Sequence, residues 1–188
     1  MKNKTITWIA FALLVLLQLW VPAAVIRKKE DILSTGATFK FRTAPVDPND
    51  YLRGKFVYLS FSQNSFEVNS AGDWRDRRDI FVNLGTDSAG FAKILSVSKD
   101  ADIAGQNYIK ATLSYVSENG AKTVLHIDWP FDRFYMEESK APLAEKAYND
   151  TRMDSSITSY ALVKVKHGNA VLANVYIDDK PIDLYIKK

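Results

Sequence analysis

The chain of 188 residues contains no cysteine, which excludes disulfides, thiolate metal sites and cysteine nucleophiles. It has two histidines, so imidazole chemistry is confined to His126 and His167. No Gly-x-Ser-x-Gly elbow, P-loop, dinucleotide fingerprint or His-Glu-x-x-His helix occurs, so the best-marked hydrolase, nucleotide and zinc chemistries have no motif to rest on. A serine–lysine dyad has no specific support either, since both residues are simply abundant. The body of the chain also lacks a basic excess. The formal charge of +3 comes from Lys2, Lys4, Arg27, Lys28 and Lys29, all ahead of the first acid, Glu30; the other 20 basic residues face all 22 acids, leaving −2. With no cationic surplus to neutralise phosphates, nucleic acid is not an expected partner.

What is present begins with a long apolar run. Ile6 to Ile26 carries no charge, and 21 residues of helix reach about 31 Å, close to the hydrocarbon thickness of a bilayer. Trp8 and Trp20 stand near its ends, where amphipathic rings favour the membrane interface. Residues 1–29 therefore read as an N-terminal membrane anchor with basic flanks, and the lipid bilayer as its partner. Val21-Pro22-Ala23 offers a small-residue cleavage site after Ala23, but the apolar run continues to Arg27-Lys28-Lys29, as an anchor does. The anchor is expected to be retained. The bases on its two sides nearly balance, so the positive-inside rule does not decide orientation. The short N-terminal tail favours a cytoplasmic N-terminus, with residues 30–188 outside as an extracytoplasmic domain.

That domain is patterned with period two. Ala37 to Thr43 alternates as a half-buried strand. Pro45 to Gly54 reads as a stiff turn, the prolines fixing φ and Gly54 allowing a bend. It feeds a strand from Lys55 to Phe61 with aromatics on both faces, expected inside the fold. Asn64 to Asp79 is irregular; its mixed-charge stretch Gly72 to Asp79, around Trp74, is either a polar docking surface or a solvated loop of compensating charges. Strands follow at Asp79–Leu84 and Phe91–Ser98. Tyr108–Val116 and Thr123–Trp129 bracket Asn119-Gly120, a strong hairpin signal. Phe131 to Met136 continues as strand, and Pro142 to Met153 reads as the helix of the domain, with Leu143, Ala147 and Tyr148 as its apolar stripe. Tyr160–Lys166, Val171–Ile177 and Pro181–Ile186 close the chain as a β-meander, with turns at His167-Gly168-Asn169 and Asp178-Asp179-Lys180. Eight or nine strands and one short helix predict a mainly-β, antiparallel domain, sandwich or barrel-like.

Chemistry has few footholds in this pattern. His126 and Asp128 fall on one strand face, as a carboxylate-oriented imidazole or a pair of metal ligands would, and equally as an ordinary hydrogen-bonded pair would. Two ligands do not make a metal site. Asp47 and Asp50 fit turn chemistry around Pro48-Asn49 as well as they fit a cation. Glu137 and Glu138 follow the aromatic run from Phe131, but adjacent residues on a strand point to opposite faces and would not flank one bond. The aromatic strands could stack bases or sugars, although core packing accounts for the same spacing. No cofactor and no metal is expected.

At Gly54 to Phe61 the chain resembles the GDYXXLXY family, named for its Gly-Asp-Tyr-x-x-Leu-x-Tyr signature. Here the octet reads Gly54-Lys55-Phe56-Val57-Tyr58-Leu59-Ser60-Phe61. Gly54 and Leu59 match, Phe56 and Phe61 keep the rings without the hydroxyls, and Lys55 reverses the charge of the family's acid. Pro45 to Arg53, Ile127 to Glu137 and Lys164 to Pro181 are similar to the family's layout as well. The resemblance implies a bacterial envelope protein of unassigned biochemical function, with a short membrane segment and an extracytoplasmic domain, sometimes encoded beside a multi-pass membrane protein. It brings no catalytic residues. The leading expectation is a membrane-anchored, non-catalytic interaction module. The alternatives are an envelope hydrolase or ligand-binding enzyme using His126 with Asp128 or dispersed acids, and, if Ala23 is a cleavage point, a secreted binding protein.

Overall fold

The computed structural model describes residues 2–44, 56–70, 74–101, 107–119, 122–137, 139–151 and 157–186. Pro45 to Lys55, where the stiff turn and the start of the signature strand are expected, lie outside them.

The apolar run forms helix α1 (Lys2–Thr35), continuous through Pro22. It is long and apolar enough to cross a membrane, and its apolar side chains are exposed along that length. A helix that is hydrophobic all round and unpacked over such a length can sit in a lipid bilayer. The helix runs nine residues past Ile26, about 14 Å at helical rise, and its end meets the domain. There Ile32 is only 4% exposed.

The domain is mainly antiparallel β. The first sheet contains β1 (Ala37–Ala44), β3 (Ser60–Phe61), β10 (Ser159–Lys166), β11 (Asn169–Ile177) and β12 (Lys180–Pro181), in the order β12-β11-β10-β1-β3. The second contains β4 (Ser65–Val68), β5 (Asp79–Thr86), β6 (Ala92–Ser98), β7 (Tyr108–Asn119) and β8 (Lys122–Asp128), ordered β4-β8-β7-β5-β6. A small ribbon pairs β2 (Phe56–Tyr58) with β9 (Arg133–Tyr135). Isolated parallel bridges, Lys40 to Phe91 and Ile109 to Gly168, tie the two large sheets together.

The alternation read from sequence decides which side chains enter the core. Phe39 and Phe41 of β1, Val163 and Val165 of β10, and Val175 and Ile177 of β11 join Ile80, Val82, Ile109, Leu113, Leu125 and Ile127 of the second sheet in one buried cluster. At one end Phe41 meets Phe131 edge-on at 5.0 Å and Trp129 at 5.2 Å, and Phe61 meets Phe131 at 5.3 Å. Offset and edge-on rings of this kind add to the stabilisation from burial alone. The β7–β8 hairpin forms as expected, with Asn119 opposite Lys122. Both turns of the closing meander form too. His167 (φ 48°) and Gly168 (φ 75°) join β10 to β11, while Asp178 (φ 50°) and Asp179 (φ 58°) join β11 to β12. Two successive left-handed residues twist a hairpin turn in the same sense as its strands.

Five expectations need correction. The strand expected from Lys55 to Phe61 is divided: β2 pairs with β9 and β3 with β1, and between them the Leu59 amide donates to the Asp132 carbonyl at 2.8 Å. Asn64 to Asp79 contains a strand, β4, made by pairing with β8 rather than by any local signal. Phe131 to Met136 yields only the three residues of β9. In helix α2 (Ala141–Thr151) Leu143 is 56% exposed, and Ala144 and Tyr148, with Ala147 beside them, form the inner stripe. The final segment is not a strand beyond Pro181. It turns into helix α3 (Ile182–Tyr185), because proline at its start ends the ladder and Ile182 is buried in the core.

Candidate functional site

The divided signature strand shapes one wall of a small cleft of about 240 Å³. Leu59, Ser60 and Phe61 come from the signature, Asn64 from the following turn, and Asp128 and Asp132 from the end of β8 and the loop after it. Backbone bonds fix these segments together. The Ile127 amide donates to the Asn64 carbonyl at 2.8 Å, the Trp129 indole N–H donates to the Gln63 carbonyl at 2.8 Å, and the Leu59 amide reaches Asp132. Leu59, Phe61 and Trp129 are buried as its floor, and Asp128 lies exposed at the rim. Asp132 is 3.7 Å from the Arg133 Nε. Gln63 Oε1 is buried without a hydrogen-bond partner among the described residues. Two carboxylates, a hydroxyl and a carboxamide make this cleft rich in acceptors, a chemistry suited to ligand hydroxyl or amino groups.

Of the signature residues, Leu59 and Phe61 line this cleft and Phe56 opens β2 opposite Tyr135. Leu59 and Phe61, both buried, are scaffold first. Their ring and branch fill the aromatic end of the core, which accounts for their residue types without any chemistry.

His126 and Asp128 do share the outer face of β8, as alternation requires, because Thr123, Leu125 and Ile127 take the inner one. Their surroundings differ. The His126 ring stacks on Tyr115 at 3.9 Å with an interplanar angle of 12°, and its Nε2 shares a 2.9 Å hydrogen bond with Ser117 Oγ. Asp128, two residues on, belongs to the cleft. Glu137 stands elsewhere, before α2. The Lys140 ammonium, hydrogen-bonded to it, and the Ser139 hydroxyl at 3.1 Å hold its carboxyl below the usual glutamate range. The same contact pushes Lys140 upward. A carboxylate kept ionised in this way is a poor proton donor near neutral pH. Glu138, Asp47 and Asp50 lie outside the described residues. Among those described, no three His, Cys, Asp or Glu side chains gather as a metal site would require.

Three arrangements had no signal in the sequence. Lys166 at the end of β10 reaches back to the end of α1, placing its Nζ 2.7 Å from Asp31 Oδ2, 2.9 Å from Asp31 Oδ1 and 2.8 Å from Thr35 Oγ1. Tyr160 stacks on Tyr176 at 5.1 Å, packs against Phe91, and donates its hydroxyl to Asp179 at 2.9 Å. Burial first, and the neighbouring carboxylate second, push its phenol up to about 12. Across β7, Arg75 and Arg77 face Glu118 over a second, larger cleft.

No curated protein and no solved structure matches the chain. Residues 18–175 match the family model described as GDYXXLXY protein, a stretch that takes in the second half of the apolar helix, the signature octet, the cleft and most of the closing meander, and the chain belongs to that family.

Proposed function

We propose that this protein is a single-pass, membrane-anchored and extracytoplasmic β-domain that acts as a non-catalytic interaction module on a multi-pass membrane protein. Residues 1–29 serve as the anchor and 30–188 as the working domain. The observation that carries the reading is α1: its apolar surface is unpacked for most of its length, yet its end meets β10 and β11, with Ile32 buried there and Lys166 bonded to Asp31 and Thr35. A helix so docked holds the domain at a set height and orientation above the bilayer, which is useful to a protein whose partner lies in the same membrane. The family resemblance supports the multi-pass partner. An enzyme reading based on His126 and Asp128 has less support, since the imidazole is occupied by Tyr115 and Ser117 while Asp128 belongs to the cleft.

The test is affinity purification of the full chain from membranes solubilised in a mild non-ionic detergent. The expected result is co-purification of a multi-pass protein in fixed ratio; recovery of the chain alone overturns the proposal. Protease treatment of intact spheroplasts tests the orientation, with digestion of the domain expected and protection until lysis as the refuting outcome.

A further inference from the structure

The mixed-charge stretch around Trp74 has a definite conformation where it is described. Trp74 to Asp76 forms a turn closed by the Arg77 amide on the Trp74 carbonyl at 3.1 Å, and the Trp74 indole is buried, with the Lys99 ammonium 5.3 Å from its ring centroid. A buried tryptophan at the start of a turn works as a peg. It fixes the turn so that Arg75 and Arg77 face strand β7.

Opposite them β7 is irregular. Leu113 pairs with Ile127 and Tyr115 with His126, leaving Ser114 as the extra residue of a β-bulge. The Leu113 amide is taken by the Arg78 carbonyl at 2.7 Å, so the turn and the bulge are stitched together. Between them lies a cleft of about 500 Å³ lined by Arg75, Arg77, Ser114, Tyr115, Val116 and Glu118, with Leu113 beneath. That volume is within the range of small-molecule sites, and bulges recur where a strand is re-aimed at a ligand.

Arg75 donates from Nη2 to Glu118, and Arg77 donates from Nη1 to the Lys99 carbonyl at 3.2 Å, with Asp100 at 4.0 Å. Each guanidinium has five N–H donors in a planar fork. Both forks therefore keep donors uncommitted among the described residues. The Arg75–Glu118 pair is 64% and 51% exposed, and an ion pair so open to water contributes little stability. Glu118 thus occupies Arg75 as an internal carboxylate that an incoming one can replace at low cost.

We infer that this cleft binds a small anionic ligand, its carboxylate or phosphate head held between Arg75 and Arg77 in exchange for Glu118, and a short aliphatic part lying on Leu113 and Val116. Paired planar forks recognise these anions better than point charges do. The site is distinct from the signature cleft, whose lining is acidic.

Calorimetric titration of the full chain in non-ionic micelles tests it, with inorganic phosphate and glutarate as the two probes. Saturable binding of at least one is expected; binding of phosphate alone identifies a phosphoryl head, and of glutarate alone a carboxylate head. Loss of one charge-assisted contact in Arg75→Ala or Arg77→Ala is expected to weaken binding about tenfold or more. Arg75→Lys keeps the charge without the fork and should fall between wild type and Arg75→Ala. Glu118→Gln should strengthen binding several-fold, an effect that a purely structural ion pair would not produce. The inference is overturned if neither probe saturates, if the arginine variants bind as wild type does, or if Glu118→Gln weakens binding.

Discussion

Replacing Ile32 with alanine tests whether the end of α1 is docked on the domain or merely passes beside it. Ile32 is 4% exposed, whereas its helix neighbours Asp31 and Leu33 are exposed, so the apolar contact is concentrated in one side chain. Truncating a core isoleucine to alanine costs about 2–5 kcal/mol, the higher values where the surroundings cannot collapse. A helix end can shift, so the lower part of the range applies, about 2–3 kcal/mol. The Lys166–Asp31 contact, open to water, contributes less despite its several hydrogen bonds. Docking should therefore depend on Ile32 more than on Lys166. The helix end can also leave while the sheets stay folded, which caps the effect on global unfolding at the docking free energy. The sensitive observable is local. Amide hydrogen exchange of the full chain in micelles, followed at Gly36, whose N–H is bonded to the Ile32 carbonyl at 2.9 Å, should accelerate in Ile32→Ala by roughly 30- to 150-fold. Lys166→Ala should accelerate it no more than about fivefold. Unchanged protection at Gly36 would refute the docking. An equal loss of protection in the core strands would refute the separability, placing α1 in the same cooperative unit as the sheets.

Other expectations follow from single contacts. Gly168→Ala places a Cβ 2.6 Å from Tyr108 Cε2 at φ 75°; the left-handed backbone and the crowded ring together should cost about 2 kcal/mol in chemical denaturation. The raised Tyr160 pKa stabilises the fold while the phenol is protonated in both states, and the contribution declines as pH rises from 10.0, the ordinary value, through about 12. Stability in denaturant should accordingly fall less steeply between pH 10.0 and about 12 in Tyr160→Phe, and an unchanged slope would contradict the assignment. For Glu137 the sign is opposite. Its lowered pKa makes its contact with Lys140 present above 4.5, the ordinary value, and lost as pH falls through its own midpoint. A carboxyl-carbon NMR titration should find that midpoint below 4.5 and see Lys140→Ala bring it back toward that value.

Local pattern was enough for several strands because their faces differ. Phe39 and Phe41 alternate with Thr38, Lys40 and Arg42, and Thr123, Leu125 and Ile127 with Val124, His126 and Asp128, so a period of two has one solution that buries the rings and branches. It failed at Ser65–Val68, a short strand that exists through its pairing with β8, and at Leu59, where the chain changes partners in the middle of an apparently continuous apolar run. It also failed in α2, where the exposed Leu143 and the buried Ala144 reverse what hydrophobicity alone suggests. Small side chains are buried where two elements approach closely, and that distance is a property of the packed pair.

The amino-acid order alone determined the apolar helix, the alternating strands, the Asn119-Gly120 hairpin and the turns at His167-Gly168 and Asp178-Asp179, together with the family signature. These depend on residues within a few positions of one another, where charge, period and backbone freedom are local quantities. Tertiary structure alone decided the sites. Lys166 meets Asp31 across 135 residues, Arg75 meets Glu118 across 43, and Trp129 donates to Gln63 across 66. Such meetings are set by strand order, register and the bulge at Ser114, and these follow from the lowest free energy of the whole packed chain rather than from any window of it.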